Sequence, residues 1–115
     1  MPPRPPLAQP LRDHHDALVE LCRTHGVDRL EVFGSAADGR FDPQRSDIDL
    51  IVSSSPDAPG SRADRYFALA DAVERLLGRH VDLLTDQPIR NPYLRQTVDA
   101  TRRDLYVRSP AEASG

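Results

Sequence analysis

Apolar positions along the chain change period several times, and each change marks an element. Over 11–25, Leu11, Leu18, Leu21 and Cys22 recur at helical spacing and Gly26 supplies a stop, so a first helix is expected. Over 27–33, Val27, Leu30, Val32 and Phe33 alternate loosely, as in a strand. Residues 34–39 read as a turn that opens one helical turn, and 41–45, with Pro43 inside, as loop. A second strand is expected over 46–53, followed by the flexible connection "SSPDAPGS". Over 62–77, Tyr66, Leu69, Ala70, Val73, Leu76 and Leu77 line one face of the clearest amphipathic helix in the chain, and Gly78 ends it. Residues 80–85 form a third strand carrying Asp82, 88–103 turn helical from about Pro92, and 105–107 are a short apolar end. The proline-rich start, 1–10, and the end, 108–115, read as disordered tails around one domain over 11–107. Helix, strand, strand, helix, strand, helix is the order of a small α/β (α+β) domain.

A chain of 115 residues holds one domain with a modest core. No apolar run approaches the ~20 residues of a membrane helix, and no apolar stretch of signal-peptide type opens the chain. The single cysteine, Cys22, has no internal disulfide partner, so a cytoplasmic location is expected. The net charge of -3 disfavours a general nucleic-acid surface. Every basic residue is arginine, which excludes a Walker-type P-loop lysine and a lysine Schiff base.

The stretch "VFGSAADGRFDPQRSDIDLIV" puts two acids, Asp47 and Asp49, at the opening of an apolar strand. Residues two apart on a strand share a face, so both carboxylates project together while Ile48 and Leu50 point to the opposite side. Side by side they resist ionising together, and a divalent cation removes that conflict. Mg²⁺ takes one or two carboxylates plus substrate phosphates, so the pair reads as half of a Mg²⁺-phosphate site. Gly34 and Ser35 read as the other half, a turn where backbone comes close and amides point at an anion. Asp82 joins them if its strand pairs beside the second strand. Three carboxylates can hold two metals, with Asp82 also placed to act as base.

Gly34-Ser35, a spacer of eleven residues, Asp47-Ile48-Asp49 inside "SDIDLIV", and a later "VDLLT" together resemble the signature of the polymerase-beta nucleotidyltransferase superfamily. Length and layout look like its minimal nucleotidyltransferase (MNT) domain. The resemblance implies a small mixed β-sheet with helices packed on one face. It also implies Mg²⁺-dependent transfer of a nucleoside monophosphate to a hydroxyl. Gly34 and Ser35 match the nucleotide-holding pair; Asp47, Asp49 and Asp82 match the catalytic, metal-binding acids. Stand-alone MNT proteins are often antitoxins that transfer AMP from ATP to a tyrosine of a HEPN ribonuclease toxin. The resemblance therefore implies a HEPN partner and ATP, with no membrane and no direct nucleic acid. Many members read G-S-x-A-R-G at the turn; here Asp38 stands where arginine is usual, with Arg40 or Arg45 available to restore positive charge. Two alternatives stay open: an antitoxin that works by binding alone, and nucleotidyl transfer to a small molecule.

Other residues read as structural. His14, His15, His25 and His80 lack metal-ligand spacing and are taken as surface or packing residues. Cys22 belongs to the core, and Tyr66 and Phe67 to packing. Arg102-Arg103 reads as a solvated pair near a helix C-terminus.

Overall fold

The computed structural model describes residues 5–54 and 60–108. Its elements, in order, are α1 (Gln9–Asp13), α2 (His15–Thr24), β1 (Val27–Phe33), α3 (Ser35–Asp38), β2 (Ile48–Ser54), α4 (Arg62–Leu77), β3 (Val81–Thr85), α5 (Pro92–Thr101) and β4 (Arg103–Val107). The strands form one four-stranded sheet in the order β3-β2-β1-β4. Two pairs are antiparallel, β1 with β2 and β1 with β4, whereas β2 and β3 run parallel. The sheet is therefore mixed, as expected.

Alternation along the strands sorts residues onto two faces. Leu30 and Val32 of β1, Ile48, Leu50 and Val52 of β2, and Val81 and Leu83 of β3 enter the main core. Leu11 of α1, Leu18 and Cys22 of α2, Ala36 and Ala37 of α3, and Leu69, Val73 and Leu77 of α4 pack against them. A Leu, Ile or Val buried this way contributes about 1.5–3 kcal/mol. Cys22 is fully buried, and burial pushes its thiol up to about 12, so it packs as an inert apolar group.

The caps follow from composition. Ser61 accepts from the Asp64 amide at the start of α4, and Gly78, in the left-handed region, closes it. Asn91 accepts from the amides of Tyr93 and Leu94, and Pro92 follows at the first turn of α5. No helix among the described residues is long and apolar enough to cross a membrane.

Four expectations change. The first helix is broken at His14 into α1 and α2. Helices do not all lie on one face, because α5 packs on the opposite one, with Val98 against Phe33 and Ile51. The apolar end at 105–107 belongs to a full edge strand, β4. The tails are shorter than expected. Ala8 is buried with its amide on the Ala36 carbonyl, and Arg108 pairs with Asp28 at 3.2 Å. Residues 1–4 and 109–115 lie outside the described residues, as does most of the connection expected at 54–61.

The Arg102-Arg103 pair is anchored to the fold, although Arg102 stays partly exposed. Glu31, only 3% exposed, accepts two 2.7 Å bonds from Arg102 Nε and Nη2 in a fork. Arg103 Nη1 donates to the carbonyls of Pro5 and Ala37. Arg102→Ala leaves the Glu31 carboxylate buried with, among the described residues, the more distant Arg29 at 3.7 Å. Urea denaturation is expected to show a loss of about 3 kcal/mol, and Glu31→Leu combined with Arg102→Met should recover most of it. A loss below about 1 kcal/mol would make the fork equivalent to a surface pair.

Candidate active site

The three sequence-predicted acids come together at one end of β2 and β3. The parallel register sets Asp49 directly beside Asp82. Their strand neighbours Ile48, Leu50, Val81 and Leu83 are buried on the core side, which leaves both carboxylates on the other face. Asp47 stands immediately before β2, delivered by a compact loop. In that loop the Asp42 carboxylate accepts from the Gln44 amide, and Ser46 Oγ accepts from the Asp42 amide. Arg79 fastens this loop to the entry of β3. Its guanidinium lies 5.0 Å from the Phe41 ring centre, and Nη1 donates to the Pro43 carbonyl.

Burial and repulsion act together on the electrostatics. Partial burial, then the neighbouring Asp82 and Asp47, push the Asp49 carboxyl up to about 6. His80 Nε2 lies 2.9 Å from Asp82 Oδ1, and Nδ1 lies 3.7 Å from Glu74 Oε2. The Asp82 bond, with Asp47 and Glu74 adding to it, holds the His80 pKa above its ordinary value. Ligand atoms of Asp47, His80 and Asp82 all lie within 4.8 Å of one another. Carboxylate oxygens this close, with an excess of negative charge, suit a divalent cation.

Gly34 and Ser35 stand against the same acids. Gly34 has φ 73° and ψ -150°, a conformation that side-chain-bearing residues avoid. A Cβ there would sit 3.0 Å from Asp49 Oδ2, so only glycine lets the turn and the acid approach this closely. Ser35 opens α3, whose Ala36 and Ala37 anchor it in the core. The Gly34 amide donates to Thr101 Oγ1 at 2.8 Å, and that hydroxyl donates to the Thr97 carbonyl. The turn is thus tied to the last turn of α5.

Asp38 is answered within its own turn. Arg40 Nη2 lies 2.6 Å from Asp38 Oδ2, Nε donates to the same oxygen, and the Arg40 amide donates to Oδ1. These bonds hold the Asp38 carboxyl below its usual pKa. Arg40 therefore cancels Asp38, and Arg45 stays exposed in the loop.

His80 and Thr101 were missed as members of this site. The signal for His80 was present, because it stands two before Asp82, the same spacing that pairs Asp47 with Asp49. Thr101 left no signal in its local pattern. On the same face, past Ile51, lies a cleft of about 250 Å³ lined in part by Ile89, Arg95 and Asp99.

Comparison with known proteins agrees with this geometry. The family profile described as "Nucleotidyltransferase domain" matches residues 16–105. A Methanocaldococcus jannaschii protein provisionally named a protein adenylyltransferase is 33% identical over 89 residues, covering 77% of this chain and 84% of the relative. A solved minimal nucleotidyltransferase, so named provisionally, superposes with a TM-score of 0.64 at 34% identity, over 81% of this chain and 90% of that one. A complex of a tri-AMPylated Shewanella oneidensis HEPN toxin with an MNT antitoxin contains a chain of the same fold. It matches with a TM-score of 0.56 at 19% identity, over 90% of this chain and 77% of that one.

The raised Asp49 carboxyl has a stability consequence in cation-free buffer. Its ionised form is disfavoured in the folded protein, so the cost is fully present above pH 6 and disappears as pH falls through the ordinary carboxylate range. Asp49→Asn is expected to stabilise the protein at pH 8 by about 1 kcal/mol, the shift being discounted for partial exposure. The gain should vanish near pH 4. Thermal melts in EDTA at the two pH values measure it, and an equal gain at both would refute the electrostatic origin.

Proposed function

The chain belongs to the nucleotidyltransferase domain family, and on that footing we propose that it transfers AMP from ATP to a tyrosine hydroxyl of a cognate HEPN ribonuclease toxin, acting as the antitoxin. The observation that carries this reading is the in-register pair Asp49 and Asp82, with Asp47 beside them and Gly34 packed onto Asp49. The provisional names of the M. jannaschii relatives and the HEPN toxin complex among its structural neighbours support the acceptor class.

Each residue then has a role. Asp47, Asp49 and Asp82 hold Mg²⁺. When bound, the ion neutralises charge on the triphosphate and lowers the barrier to displacement at phosphorus. Gly34 and Ser35 hold the triphosphate where backbone can approach without a side chain between. The acceptor oxygen forms the new bond to the α-phosphorus, the bond to the β-phosphate bridge breaks, and pyrophosphate leaves. Asp82, half exposed at the rim, takes the hydroxyl proton on a carboxylate oxygen. The cleft beyond Ile51 offers room for the nucleoside along the same face.

Incubation with labelled ATP, Mg²⁺ and the helical product of the neighbouring gene tests the reading. Label should appear on a tyrosine of the partner, and Asp47→Ala or Asp49→Ala should slow transfer by roughly a hundred- to a thousandfold. If no label transfers while both variants still neutralise toxicity, the enzymatic reading fails. A second prediction concerns the turn. Arg40→Ala bares the Asp38 charge and should raise KM for ATP about threefold, as expected of a partly exposed pair. Asp38→Ala added to it should restore the original KM, and steady-state kinetics would show whether it does.

A further inference from the structure

We infer that His80 is a cation ligand, and that with Asp47 and Asp82 it gives this chain a position selective for a first-row transition cation over Mg²⁺. The inference rests on the cation-dependent reading of the site above, and it concerns a residue that reading does not use.

Three features of the geometry carry it. His80 Nε2 and Asp82 Oδ1 are 2.9 Å apart. Two ligands at right angles on an ion with bonds of about 2.1 Å stand about 3.0 Å apart, so the two atoms already have a coordinating separation. Asp47 brings a third oxygen within 4.8 Å of both. The other ring nitrogen faces Glu74 Oε2 at 3.7 Å, and a carboxylate behind the free nitrogen is the usual support of a metal-bound imidazole. An ordinary ion pair needs one acid for one imidazole. Here three carboxylates, those of Asp47, Asp82 and Glu74, surround one ring. Mg²⁺ favours oxygen donors throughout, whereas an imidazole among carboxylates suits cations such as Mn²⁺. Asp82 offers one oxygen to this position and keeps the other for a hydroxyl proton.

The test uses the full chain with MnCl₂ or MgCl₂ alone, without nucleotide or acceptor. Calorimetry should show that His80→Ala weakens Mn²⁺ binding about tenfold or more while Mg²⁺ binding changes less than about twofold. His80 is exposed, so the variant should fold, and its thermal melt checks this. Pulsed EPR of Mn²⁺ on the unmodified protein should show coupling to an imidazole nitrogen that disappears in His80→Ala. An equal proportional change for both cations, no change for either, no Mn²⁺ binding at all, or no nitrogen coupling would each overturn the inference. These readouts do not depend on group transfer. Absence of AMP transfer with the His80 effect intact would count against the proposed function alone.

Discussion

Asp49 and Asp82 occupy paired positions on parallel neighbouring strands, so their carboxylates cannot separate without undoing the sheet. Glu31 lies on the adjacent strand β1, buried on the same face. Most of the architecture can be understood as the response to this gathered charge. Most large apolar residues of β2 and β3 lie on the opposite face, where α1 to α4 cover them, while Ile51 and Leu84 meet α5 on the acid face. The acids are compensated unequally. Glu31 receives a two-pronged arginine, Asp82 an imidazole and Asp38, in the adjoining turn, its own arginine. Asp49 is bonded to no such cation among the described residues, and burial, with Asp82 and Asp47 beside it, raises its pKa. The uncompensated group is the one that Gly34 touches.

That inequality separates stability from chemistry. A fixed arginine beside Asp49 would relieve the repulsion and occupy the space a ligand needs. Local cost at a site of this kind is a common feature of functional proteins. The helices and the Glu31 fork hold the frame, and the acid end stays open to solvent. Arg79, cation–π against Phe41 and bonded to Pro43, makes the loop that carries Asp47 part of that frame.

Much of this was legible in the chain because it is written in short periods. Period two put Asp47 and Asp49 on one face, Asp82 joined them on condition that its strand paired alongside, and a Gly-Ser pair marked the turn. The bounds of α4 and β1 matched expectation because their apolar rows and glycine stops are local. What escaped depends on partners far along the chain. β4 reads as "RDLYV", too short and charged to announce itself, and becomes a strand by pairing with β1. The placement of α5 opposite the main core was not readable because Val98 finds Phe33 and Ile51 only in three dimensions. Arg102 looked solvated because its partner Glu31 is 71 positions earlier. His80 differs, because its spacing two positions before Asp82 is local and legible, and it pairs with an aspartate rather than with another histidine or cysteine.

Three consecutive residues, Thr101, Arg102 and Arg103, hold the Gly34 amide, the Glu31 carboxylate and the Ala37 carbonyl. All three bonds span more than sixty positions, 66 for the shortest. Closing loops of this length costs chain entropy, which the bonds must offset. Asp49 and Asp82, by contrast, are set side by side by the pairing of β2 with β3 and do not depend on these three bonds. The Gly34 turn and the paired acids are thus held by different parts of the fold, the first by the end of α5 and the second by the β2–β3 pairing. Fraying of that one helix end would free the Gly34 amide from Thr101 while leaving the main core and the β2–β3 pairing intact.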